Sequence, residues 1–163
     1  MEGEDVYTIT DLYDLDHTLA ADYLRQFTYP WEALKGIKEL ILTLGPTLGD
    51  DYEEVQPTVW VHKTAKVFPS AYLGAPSIIG PNTEVRHCAF IRGSALVGAD
   101  CVVGNSVELK NVILFDHVQT PHYNYVGDSI LGYRDSGEGT ECGHRSWCGQ
   151  RWRRRSGYDV RIC

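Results

Sequence analysis

Four side chains within one stretch could bind a phosphorylated compound and move a proton: Arg92, Lys110, His122 and Tyr125. Arg92 and Lys110 fall at equivalent places of a six-residue pattern, three sextets apart. If three sextets make one turn of a coil, the two cations lie on one face, one coil apart. A guanidinium fork beside a lysine point charge is a suitable grip for one phosphate. His122 follows in a stretch where the six-residue rhythm breaks after Phe115, with regular phase resuming near Val126 and Leu131. Such a break reads as a loop, and loops on rigid scaffolds carry function. A histidine there suits proton transfer because its pKa lies near neutrality. Each residue also has a plainer reading. Exposed Arg and Lys keep a surface soluble, a loop histidine is commonly hydrogen-bonded, and Tyr123 and Tyr125 could pack on the next coil. His62, His87 and His117 have no spacing that makes a metal cluster, and no metal is expected.

The repeat itself sets the frame. Counting in sixes from Val61, the first places are Val61, Val67, Leu73, Ile79, Val85, Ile91, Val97, Val103, Leu109 and Phe115, all large and apolar. The fifth places are Ala65, Ala71, Ser77, Thr83, Ala89, Ala95, Cys101 and Val107, mostly small. A helix repeats near 3.6 residues and an exposed strand near 2, so a sustained period of six fits neither alone. It fits an all-β solenoid with three short faces per coil, first and fifth places pointing inward. Gly74, Gly80, Gly98 and Gly104 stand at second places, where glycine is expected to permit a backbone turn.

Leu73-Gly74, Ile79-Gly80, Val97-Gly98 and Val103-Gly104 resemble the bacterial transferase hexapeptide repeat, whose members fold as a left-handed parallel β-helix. The segments Ala89-Phe-Ile-Arg-Gly93, Val103-Gly-Asn-Ser-Val-Glu-Leu-Lys110 and Pro121-His-Tyr-Asn-Tyr-Val-Gly-Asp128 resemble the acetyltransferase half of the bifunctional enzymes that make UDP-N-acetylglucosamine. Short stand-alone look-alikes are named after the pyrophosphorylase. The resemblance implies acetyl transfer from acetyl-CoA to the amine of an amino sugar phosphate. On it, His122 is the general base, Arg92 and Lys110 bind the sugar phosphate, and Tyr125 lines the sugar pocket. It also implies a homotrimer with sites between neighbouring subunits. The alternative is a non-catalytic β-helix, related to sugar-phosphate nucleotidyltransferases, that binds a sugar nucleotide or serves as a scaffold. Tyr29-Pro30-Trp31-Glu32 resembles the linker helix of those nucleotidyltransferases, but the sequence has no Gly-rich, Arg-containing loop for a nucleoside triphosphate.

Around the repeat the sequence divides into residues 1–58 as a helical cap and linker, 59–134 as the solenoid, and 135–163 as an irregular tail. Pro30 to Leu44 reads as one helix with the apolar stripe Trp31, Leu34, Ile37, Ile41 and Leu44, ended by Gly45-Pro46. It is expected to dock on the solenoid and cap its first coil, where an open edge needs covering. Gly49 to Glu54 reads as a solvated linker. Asp14-Leu-Asp-His-Thr18 matches the Asp-x-Asp-x-Thr signature of haloacid dehalogenase-like phosphatases. Thr10, Asp11 and Asp14 interrupt the strand that motif requires, so turn or cap roles are expected for Asp14, Asp16 and Thr18. Net charge is −7, which argues against a nucleic-acid partner. No run is long and apolar enough for a membrane span and the acidic start is unlike a signal peptide, which points to the cytoplasm. Cys88 and Cys101 read as small buried hydrophobes.

After Arg134 the apolar pattern stops and Gly, Arg, Cys and Trp dominate. Arg151-Trp-Arg-Arg-Arg155 could be an aromatic-basic tail, and Cys142, His144 and Cys148 could ligate zinc, though no fourth ligand is evident. The reading preferred here is a frame-shifted continuation of the hexads, expected to be poorly ordered. The resemblance implies further coils at this point that would hold acetyl-CoA.

Overall fold

The computed structural model describes residues 6–135. The tail, including the candidate zinc ligands Cys142, His144 and Cys148 and the expected frame-shifted continuation, lies outside the described residues. Short helices α1 (Ile9–Leu12), α2 (Ala21–Leu24), α3 (Pro30–Ala33) and α4 (Ile37–Leu44) precede a parallel β-solenoid. The solenoid has three faces, each a ladder of rungs one coil apart. One face runs Val59, Ser77, Ala95, Val112 and Ser129 across its coils. A second runs Lys66, Glu84, Val102 and Gln119. A third runs Tyr72, Phe90, Glu108 and Tyr125.

The first-place column fills the interior. Ile79, Val85, Ile91, Val97, Val103 and Leu109 are fully buried, with the small fifth places Ser77, Thr83, Ala89, Ala95 and Cys101 beside them. Each such aliphatic side chain contributes about 1.5–3 kcal/mol by leaving water. Cys101 fits this pattern, whereas Cys88 is exposed at a corner, contrary to expectation.

The coil then shortens. Ile91 pairs with Leu109 and Gly93 with Lys110, so Arg92 has no rung partner and bulges out of the ladder. Leu114, not Phe115, stands opposite Val97, and Leu131 opposite Leu114. Phe115 takes the second place instead and is buried there. From this coil onward the phase runs Leu114, Thr120, Val126, Leu131. Thr120 to Tyr125 is therefore an ordinary sextet rounding a corner, not a loop that breaks the rhythm. Arg92 and Lys110 are likewise not in register with each other.

Corners are turned by left-handed residues that are not glycine. Cys88, Ser106 and Tyr123 hold one corner, Ser94, Asn111 and Asp128 the next, and Asn82, Asp100 and His117 the third, all with φ between +51° and +57° except Asp128 at +48° and His117 at +61°. Many are held by the coil before: Tyr123 N–H donates to Asn105 O at 2.9 Å, His117 N–H to Ala99 O at 2.8 Å, and Cys88 N–H to Ser70 Oγ at 3.1 Å. The second-place glycines serve a different need from the expected one. A Cβ on Gly104 would meet Thr120 O at 2.5 Å and His122 N at 2.8 Å, so glycine is needed for close approach of the next coil.

The helical segment packs along the side of the solenoid rather than over its first coil. Side chains alternate along a strand, so Trp60, Ile78, Leu96, Ile113 and Ile130 point outward on the first face. All are nonetheless buried, beneath α4 and its neighbours. Tyr13 Oη donates to Ile130 O at 3.2 Å and packs on Phe115 with ring centroids 5.4 Å apart. The edge of the first coil is covered by Tyr52–Gln56, a strand antiparallel to Val59–His62 where a linker was expected. Its mostly exposed, acidic side chains are compatible with a strand because only its backbone is needed to pair the edge.

The Pro30–Leu44 helix is broken by a 3-10 turn at Leu34–Gly36, and Gly45-Pro46 continue in a second one. A side chain at Gly36 would strike the ring of Tyr23, whose hydroxyl donates to Ala33 O at 2.5 Å. Leu34, Ile37 and Ile41 are buried as the stripe requires, but Trp31 is 39% exposed and stacks on Tyr29. Asp14 caps a 3-10 turn by accepting from Asp16 N–H, with Asp16 inside that turn and Thr18 at its end, as turn chemistry predicts.

Candidate functional site

The third face is flanked by the two corners that carry the sequence candidates. At one corner Arg92 and Lys110 line a cavity of about 490 Å³ with Lys38, Gly93, Asn111 and Asp128. Arg92 is there because the bulge ejects it from the ladder, and Lys110 because it opens the next, shorter turn. Both are paired with carboxylates from neighbouring rungs: Arg92 Nη1 to Glu108 at 2.9 Å and Lys110 Nζ to Asp128 at 3.3 Å. The pairs are about half exposed, so each contributes at most about 1 kcal/mol. Asn111 Nδ2 donates to Asp128 Oδ1 at 2.8 Å and to Leu34 O at 3.2 Å, which ties this corner to the helical segment.

At the other corner His122 lines a separate cavity of about 400 Å³ with Arg86, Asn105, Gln119 and Tyr123. It is exposed, and its ring meets Tyr123 edge-on at 5.7 Å. Among the described residues its ring nitrogens have no hydrogen-bond partner.

Tyr125 stands on the face between these corners, 56% exposed. Its hydroxyl lies over Gly127, where a Cβ would collide with it, and Gly127 is the rung partner of Lys110. Tyr125 thus leans toward the cation corner. Tyr72 at 61% and Phe90 at 42% exposure lie on the same face, separated from Tyr125 by the Glu108 rung. One chain therefore brings Arg92 and Lys110 together, puts Tyr125 beside them, and leaves His122 across the face. Among the described residues there is no group of three or more His, Cys, Asp or Glu side chains placed to hold a metal ion, and no helix long and apolar enough to cross a membrane.

The sequence reading missed Lys38 at the cation cavity and the outward column that places it there. For the column, though not for Lys38, a signal was available in the sixth places: every third one (Trp60, Ile78, Leu96) is large and apolar, which marks the face the helices cover.

No protein-family model and no curated protein matches this chain. Among solved structures, the acetyltransferase domain of PglB from Neisseria gonorrhoeae FA1090 is similar at 18% identity and a TM-score of 0.45, over 61% of this chain and 56% of that one. PerB from Caulobacter crescentus, solved with CoA and GDP-perosamine, is similar at 21% identity and a TM-score of 0.37, over 62% of this chain and 57% of that one. A point mutant of GDP-perosamine N-acetyl transferase from Caulobacter crescentus gives 22% identity and a TM-score of 0.28 over 62% and 57%. The chain thus spans a little over half the length of these proteins. None of these values bears on the site residues.

Proposed function

We propose that this protein is an acyltransferase of the hexapeptide-repeat class, which transfers the acetyl group of acetyl-CoA to the amine of an amino sugar phosphate. The observation that carries this reading is the placement of Arg92 and Lys110 at one edge of a solenoid face and His122 at the other, with Tyr125 between. Phosphate binds at the cation corner and displaces the carboxylates Glu108 and Asp128 as partners. The sugar lies over Tyr125. His122 takes a proton from the amine as its nitrogen attacks the thioester carbonyl. The C–N bond forms, the C–S bond breaks, and the thiol leaves with a proton.

The third face, with its exposed aromatic side chains Tyr72, Phe90 and Tyr125, is the surface on which copies of the chain meet in a homotrimer. A neighbouring copy would then supply the wall that one chain lacks around this face. Size-exclusion chromatography with light scattering tests the assembly. The function is tested by thiol release from acetyl-CoA that depends on glucosamine 1-phosphate. His122→Ala should abolish release and leave the oligomer intact. An unchanged rate removes His122 as the base.

A second reading, a non-catalytic β-helix that binds a sugar nucleotide, is favoured by one observation: no carboxylate or carbonyl among the described residues orients the His122 ring. Saturable binding of UDP-N-acetylglucosamine without any thiol release would support it over the first.

A further inference from the structure

We infer that Lys38, contributed by α4 and not by the solenoid, gives the Arg92–Lys110 cavity its net positive charge and is a third contact for the phosphate of a phosphorylated ligand. This rests on the phosphate-binding role proposed above for Arg92 and Lys110.

The argument is one of charge and of construction. Three cations line the cavity, Lys38, Arg92 and Lys110. Arg92 is matched by Glu108 and Lys110 by Asp128. Those two pairs are neutral, and two neutral pairs are a poor lure for an anion. Lys38 is exposed and makes no ion pair or hydrogen bond among the described residues. Among the described residues it is thus the one cation at the cavity without a carboxylate partner. A lysine side chain on a fixed helix can swing its three donors onto a phosphate without losing an existing partner.

Its position is built in. Ile37 and Ile41 are fully buried, which fixes the side of α4 turned to the solenoid and leaves Lys38 at its margin. Asn111 Nδ2 donates to both Leu34 O and Asp128 Oδ1, so one side chain joins the helical segment to the carboxylate that Lys110 uses. The helical segment that carries Lys38 is therefore tied by a hydrogen bond to the corner that carries Lys110.

Isothermal titration calorimetry at low ionic strength tests this with two probes, inorganic phosphate and glucose 1-phosphate, a sugar phosphate with no amine to acetylate. The proteins are the wild type, Lys38→Met, Lys38→Arg and Arg92→Met, each checked for wild-type circular dichroism. The wild type should bind glucose 1-phosphate. Lys38→Met should weaken binding about tenfold, the weight of one charge-assisted hydrogen bond at a half-open site. Lys38→Arg should restore it to within about threefold, since the charge is kept. Wild-type affinity in Lys38→Met with weakened binding in Arg92→Met overturns the inference and leaves the role of the solenoid cations standing. No binding of either probe to the wild type removes the phosphate role of the cavity, and the inference with it.

Discussion

Replacing Gly104 by alanine is expected to destabilise the solenoid well beyond an ordinary surface substitution, and to do so at the His122 corner. The Cβ would stand 2.5 Å from Thr120 O and 2.8 Å from both Pro121 C and His122 N. All three atoms are backbone, so no rotamer change relieves the clash. Reaching ordinary contact needs roughly 0.9 Å of displacement, about a fifth of the 4.8 Å spacing between neighbouring strands. That stretches the 2.8 Å bond from Gly104 N–H to Thr120 O, which sits at the same point. Overpacking strain of about 1–3 kcal/mol and a weakened hydrogen bond of about 1 kcal/mol sum to about 2–4 kcal/mol. With a urea slope of about 2 kcal/mol/M, the midpoint should fall by about 1–2 M. The control is Gly49→Ala. Gly49 has φ +75° and no atom within 4 Å of a Cβ, so only the left-handed backbone penalty of about 1 kcal/mol applies. Urea unfolding followed by far-ultraviolet circular dichroism reads both. A Gly104→Ala loss no larger than that of Gly49→Ala would refute close approach as the reason for the second-place glycines.

Leu96→Ala should cost about 2–4 kcal/mol because its outward side chain is 1% exposed beneath the helices, whereas Val102→Ala on the open second face should cost under about 1 kcal/mol; chemical denaturation distinguishes them. Ser77 Oγ is buried without a hydrogen-bond partner among the described residues, and its rung partner is Ala95. Ser77→Ala should therefore be neutral or raise stability by up to about 1 kcal/mol, read as a higher melting temperature. Burial pushes the Cys101 thiol up to about 12, with Asp116 and Asp100 adding to the rise. At pH 8 only about one part in 10⁴ is thiolate, so iodoacetamide should label exposed Cys88 and leave Cys101 untouched until denaturant is added, as peptide mass mapping would show.

The inward columns were legible because a solenoid interior repeats: Ile79, Val97 and Leu114 face the same surroundings one coil apart, and so carry the same chemistry. The phase change at Lys110 was not read correctly because the two candidate first places, Leu114 and Phe115, are both large and apolar. Only Thr120 as a first place, a polar residue buried by donating to Val102 O at 3.1 Å, would have fixed the frame. The strand Tyr52–Gln56 was hidden because edge pairing is a backbone matter and its side chains are those of a linker. For the site, residue types and spacing identified the cations and His122, but not that Arg92 sits on a bulge, since a one-residue change in coil length leaves no mark on the types themselves. Lys38 was out of reach because its place depends on how a separate segment docks.

That docking has a consequence for the order in which the molecule can be made. In a chain emerging from the ribosome amino end first, α1 to α4 precede the coils they lie on, and at four to eight residues each they are too short to hold as helices alone. The coils can then add one upon another through short-range pairing, each laying down one more member of the outward column from Trp60 to Ile130. The column stays wet until the early segment returns to it. The last tie, from Tyr13 to Ile130, closes across 117 residues. Closing that tie is a long-range step, and it requires the Ile130 rung to be in place. During that interval the uncovered column is as available to a neighbouring chain's helices as to its own, so crowded synthesis would favour exchange of the helical segment between chains.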